Sequence, residues 1–174
     1  MAITAIKLNP KLYIDTPISP QDGARIVYEK MTLLTADVVS TQMIALAVLP
    51  AGARLMNAAY ETADLDSGAS LTVSVGILNT YYGQAPATAA VPAAYSSGGA
   101  TDVGTAPALV SGQNIFTSIT TGQSAARNSN PILAFTDAIG VDTAKDRIVG
   151  VQVMTDPNTA QTGSIGIILT IDAA

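Results

Sequence analysis

Three features of the sequence point to an all-β fold, a sandwich or jelly roll. Apolar and small polar residues alternate with a period of two over several short runs. Turn-forming residues recur at roughly 8- to 14-residue spacing between those runs. No stretch keeps a helical period for more than about two turns.

Taken in chain order, residues 1–22 read as an extended arm. Ile3, Ile6, Leu8, Leu12, Tyr13, Ile14 and Ile18 are apolar, while Pro10, Pro17 and Pro20 bar a helix and bias the preceding residues toward extended backbone. Such an arm needs a surface to lie on, either its own domain, as an edge strand, or a neighbouring subunit. Residues 23–174 form the sandwich domain. The stretch from Arg25 to Leu34 is rich in β-branched and apolar residues. From Gln42 to Leu49, Ile44, Leu46 and Val48 fall on one face, with Met43, Ala45 and Ala47 on the other. Pro50-Ala51-Gly52 is a tight turn. Ala53 to Thr62 follows, with Met56, Ala58 and Tyr60 on one side.

After the turn Asp64-Leu65-Asp66-Ser67-Gly68 comes the clearest strand, in which Leu71, Val73, Val75 and Ile77 alternate with Thr72, Ser74 and Gly76. Residues 79–110 are a long loop with Pro86, Pro92, Pro107 and a Ser/Gly run; loops of that length are commonly functional or disordered. Strand patterns resume at 114–121 and 132–138. The last two are Arg147 to Met154, with Val149, Val151 and Val153 on one face, and Ser164 to Ile171, with Ile165, Ile167, Leu169 and Ile171 on one face. The segment 156–163 between them is expected to close a wide hairpin. This makes roughly eight strands, the number of a jelly roll.

Composition removes many functions. Of 174 residues 48% are hydrophobic and only 12% charged, and His, Cys and Trp are absent. Without His or Cys there is no Ser-His-Asp or Cys-His catalysis, zinc finger or disulfide framework. The net charge of −5 argues against a nucleic-acid partner, which calls for a basic patch. The longest apolar run, Met43 to Leu49, is far short of the ~20 residues of a membrane helix, so no membrane partner is expected. The first ten residues lack the basic and apolar regions of a secretory signal, so synthesis and assembly are expected in a cytoplasm.

The candidate chemistry is thin. Asp64 and Asp66 share a face in extended backbone and suit a weak cation site, but the spacing fails the EF-hand pattern and both are ordinary turn formers. The same pair as glycosidase carboxylates lacks the aromatic platforms of a sugar site. Asp142, Lys145, Asp146 and Arg147 read as a solvated approach to a strand. Lys7, Lys11, Arg25, Lys30, Arg54 and Arg127 are scattered and form no stripe in the sequence. No phosphate-cradling glycine motif is present. We therefore expect no catalytic residue, cofactor or metal. Tyr81, Tyr82 and Tyr95, in or beside the long loop, are candidate interface anchors or pins of that loop. A surface of small side chains docks against protein at low ordering cost.

Two segments carry a resemblance. Leu49-Pro50-Ala51-Gly52-Ala53-Arg54-Leu55 followed by Leu65 to Gly76 resembles the early core strands of small virion proteins of tailed bacteriophages. The closing pair, Asp146 to Val153 and Thr162 to Leu169, resembles their Thr/Ala/Gly-rich final strands. The group is the capsid decoration, or cement, proteins. The resemblance implies a jelly-roll or related sandwich that oligomerises, as a trimer rather than a dimer, on the exterior of a phage head and cements neighbouring major capsid subunits. It implies no enzymatic activity. The arm residues Ile3, Ile6, Leu8, Leu12, Tyr13 and Ile14 and the loop residues Tyr81, Tyr82 and Tyr95 are the expected partner contacts. Another virion component, such as a head-fibre base, tail tube or adaptor subunit, is the alternative.

Overall fold

The computed structural model describes residues 5–8, 24–81, 108–130 and 146–173. Its strands are β1 (Ala5–Leu8), β2 (Ala24–Leu33), β3 (Gln42–Leu49), β4 (Ala53–Thr62), β5 (Thr72–Tyr81), β6 (Leu109–Ile119), β7 (Ala126–Asn130), β8 (Arg147–Thr155) and β9 (Gly163–Ala173). The helical content of the described residues is two 3-10 turns, Thr35–Asp37 and Thr121–Gln123.

The strands form two sheets. One has the order β2-β9-β4-β7 and the other β1-β3-β8-β5-β6. From β2 to β5 the chain changes sheet at every step, and it does so again from β6 to β9; only β5 and β6 follow one another within a sheet. Eight antiparallel strands in two sheets, with β2 and β9 side by side, make a jelly roll. β1 is an addition to it, parallel to β3 at the sheet edge.

The core lies between the sheets. Ile165, Ile167, Leu169 and Ile171 of β9 meet Val149, Val151 and Val153 of β8 and Val73, Val75 and Ile77 of β5, all buried, as the alternation predicts. Tyr60 and Phe116 lie across the core from each other, ring centroids 6.4 Å apart.

Two β-bulges shift the expected faces. In β3 the register breaks between Ala45 and Ala47, so the core receives Ile44, Leu46, Ala47 and Leu49, while Met43, Ala45 and Val48 face the other way. In β4 it breaks between Leu55 and Asn57. Leu55, Ala58 and Tyr60 point inward, and Met56, expected on the Tyr60 side, sits at the bulge outside the core cluster. An inserted residue reverses parity beyond it, which strict alternation cannot register.

Around β3 and the adjoining parts of β8 and β5, the β3-containing sheet is buried on both faces. Met43, Ala45, Val48, Leu78 and Ile148 are buried although they turn away from the core cluster. This accounts for the unbroken apolar run of β3, the pattern of a strand covered on two sides. On that second face Leu78 lies over Gly150, where a Cβ would come within 2.6 Å of Leu78 Cδ2.

Other expectations need correction. The segment 156–163 does not close a hairpin: β8 and β9 belong to different sheets, and the segment crosses between them. The Pro50–Gly52 turn, with Gly52 at φ +78°, likewise carries the chain from one sheet to the other. β5 runs on to Tyr81 and β6 begins at Leu109, so both ends of the expected 79–110 loop are strand. β7 has a polar sequence, ARNSN, with no alternation to betray it. The expected strand 132–138 lies outside the described residues.

Candidate functional site

The acidic turn is fully committed to the fold. Asp66 is buried, and its Oδ1 accepts the N–H of Gly68 (2.9 Å) and Thr159 (3.1 Å). Its Oδ2 accepts the N–H of Ser70 (2.7 Å) and Leu71 (2.8 Å) and the Ser70 hydroxyl (3.2 Å). Burial by itself would push this carboxyl up. The converging N–H groups of Thr159, Gly68, Leu71 and Ser70 outweigh it and hold the carboxyl well below the usual carboxylate range. Asp64 Oδ1 accepts the Asp66 N–H (3.1 Å). The Asp66 oxygens are thus taken up by donors, and the described residues contain no group of three or more His, Cys, Asp or Glu able to hold a metal. Instead Asp66 ties the 64–71 turn to the 156–161 crossing through Thr159. That tie continues through Asn158 Nδ2 to the Gly68 carbonyl (3.0 Å), the Gln161 N–H to the Leu65 carbonyl (2.9 Å) and the Ser70 hydroxyl to the Asp156 carbonyl (2.8 Å).

Asp146 and Arg147 are not a solvated approach to a strand. Asp146 Oδ1 accepts the Ala51 N–H (2.8 Å), and Arg147 is buried and donates from Nη2 to the Leu78 carbonyl (3.2 Å). Asp142 and Lys145 lie outside the described residues.

Of the expected contact residues, Ile6 and Leu8 lie in β1, in register with Met43 and Ala45 of β3. Ile3, Leu12, Tyr13 and Ile14 lie outside the described residues, as do Tyr82 and Tyr95. Tyr81 ends β5, opposite Arg147 of β8.

The surface that stands out is the outer face of the β2-β9-β4-β7 sheet. On β2, Ile26 is 74% exposed and Tyr28 50%, followed on the same face by Lys30 and Thr32, both exposed. The next row crosses all four strands: Lys30 pairs with Gly166, Gly166 with Glu61, and Glu61 with Arg127. At ordinary strand spacing that row is roughly 14 Å long. Glu61 is clamped from two sides, Oε1 by the Tyr28 hydroxyl (2.8 Å) and Oε2 by Arg127 Nη2 (2.7 Å). Arg127 and the Tyr28 hydroxyl hold the Glu61 carboxyl below its usual range, and Glu61 in turn pushes the Tyr28 phenol up. Gly166 has no side chain to fill the space between Lys30 and Glu61. A cavity of about 330 Å³ opens there, lined also by Thr62, Arg127 and Ser164.

This face is net positive on a chain of net charge −5, with Lys30, Arg54 and Arg127 against Glu61 and Asp172. These cations are far apart in the sequence, and only strand register gathers them. The Ile26, Tyr28, Lys30, Thr32 alternation was the visible trace; nothing local signalled Glu61 or Arg127. The arrangement suits docking against another molecule.

Among solved structures, a chain from the capsid of Ralstonia phage GP4 matches with a TM-score of 0.71 and 25% identity, covering 98% of this chain and 99% of that one. A chain from the capsid asymmetric unit of cyanophage Pam1 matches with a TM-score of 0.48 and 18% identity, over 92% and 95% of the two chains. No family model and no curated protein matches.

Proposed function

We propose that the chain is a structural protein of a phage virion that binds the outside of the head and cements neighbouring major capsid subunits. The observation that carries this reading is the whole-chain likeness to the GP4 capsid chain, end to end on both sides. The physical features agree with it. A jelly roll with one sheet partly buried on both faces and with cross-tied loops makes a stiff body, and its outer sheet face presents apolar and charged groups together. A clamp that binds only the assembled shell stabilises it by mass action, and repeated copies add avidity. No chemistry is required of it, and we read the chain as a non-enzyme.

In this reading the chain self-associates, as a trimer rather than a dimer. The arm residues Ile3, Leu12, Tyr13 and Ile14 and the loop residues Tyr81, Tyr82 and Tyr95 contact partners, while Ile6 and Leu8 anchor the arm through β1. The test is co-sedimentation of the purified protein with heads from a phage deleted for it. Saturable binding at a fixed copy number per capsid subunit is expected; no sedimentation above background contradicts the reading.

A further inference from the structure

The Lys30–Gly166–Glu61–Arg127 row has one group left over. Both Glu61 oxygens are taken, by Tyr28 and Arg127. Lys30, exposed on the other side of the Gly166 gap, makes no hydrogen bond or ion pair with the described residues. Its ammonium carries three donors, and the Ser164 side chain lines the same cavity. The open valence of the notch is therefore cationic and donor-rich, beside an apolar shelf of Ile26 and Tyr28.

We propose that this notch seats a carboxylate side chain of a neighbouring virion protein, bound by Lys30, with an apolar residue of the same partner resting on Ile26 and Tyr28. The inference rests on the virion reading above and names the surface and partner chemistry for it. Charge complementarity selects the occupant. A chain of net charge −5 repels acidic proteins at long range, and on this face Lys30, Arg54 and Arg127 outnumber Glu61 and Asp172, which reverses the sign locally. The fixed Glu61–Arg127 pair sets the register: an acidic group entering over Glu61 is repelled and one entering over Lys30 is attracted. Gly166 keeps the seat open, since a Cβ there would come within 3.1 Å of Glu61 Oε1.

The experiment measures binding to heads for the full-length wild type, Lys30→Glu, Lys30→Gln and Gly166→Ala, over a range of salt. Lys30 makes no hydrogen bond or ion pair within the described fold, only a longer-range attraction to Glu61, so its variants are expected to melt close to the wild type. Lys30→Glu is expected to bind roughly tenfold or more weakly at low salt, and Lys30→Gln to lose most of the salt dependence. Gly166→Ala checks the seat by partly filling it and also weakens binding. Head binding by both Lys30 variants equal to the wild type, at every salt concentration, overturns the inference while leaving the virion reading intact. Failure of the wild type itself to bind heads removes that reading, and the inference with it. Duplex DNA bound by the wild type and released by Lys30→Glu would make the occupant a phosphate and overturn the carboxylate assignment.

Discussion

Asp66 and Tyr60 are both buried polar side chains, with opposite accounts. Both Asp66 oxygens are met by N–H donors, Oδ1 by Gly68 and the sequence-distant Thr159 and Oδ2 by Ser70 and Leu71. The Tyr60 hydroxyl has no hydrogen-bond partner, and burial pushes its phenol up. Removing the first leaves four backbone donors unpaired; removing the second leaves nothing unpaired. Asp66→Ala is thus expected to cost about 3 kcal/mol or more, and Tyr60→Phe to be neutral or stabilising by ~1 kcal/mol, in urea titrations at pH 7. Because the folded Asp66 carboxyl lies below its unfolded value, its contribution is full above that value, about 3.9. It is lost as the pH falls from there toward the folded value. Wild-type stability should fall more steeply below pH 4 than that of Asp66→Ala. The sequence showed Asp66 as a turn residue, which it is. Its partner Thr159 is invisible locally, because only the fold brings the 156–161 crossing to it.

At the scale of the element, the alternating strands were legible where burial is one-sided and uninterrupted. The boundaries of β3 and β4 match the expected runs, and the inward valines and isoleucines of β5, β8 and β9 point as their period requires. What alternation misses is the bulge. Leu55 is buried in the core cluster and Met56 sits only half-buried at the register break. Leu55→Ala should therefore cost ~2–5 kcal/mol and Met56→Ala less than about 1 kcal/mol, by thermal or urea unfolding. Equal costs would put the bulge elsewhere. β1 lies in the arm, for which an edge strand on its own domain was one of the two expectations, but β7 escaped notice for a different reason. It is a short edge strand, held by pairing to a neighbour rather than by a periodic apolar face of its own.

For the whole molecule, the class of fold follows from strand number and spacing, but the connectivity does not. Sheet membership is decided by loops that cross the sandwich, such as Pro50–Gly52 and 156–163, and a crossing turn is written with the same residues as a hairpin turn. The proposed docking face was equally hidden, since Lys30, Glu61 and Arg127 meet only through three strand pairings. As proposed, the chain is a virion protein that acts by contact, in keeping with the capsid likeness. Cryo-electron microscopy of deletion-phage heads, with and without the added protein, tests that claim most directly. The account predicts additional density for the jelly roll on the outer surface, bridging neighbouring major capsid subunits, with the β2-β9-β4-β7 face turned toward protein. Density confined to the tail or the head interior, or no density at saturating protein, would contradict it.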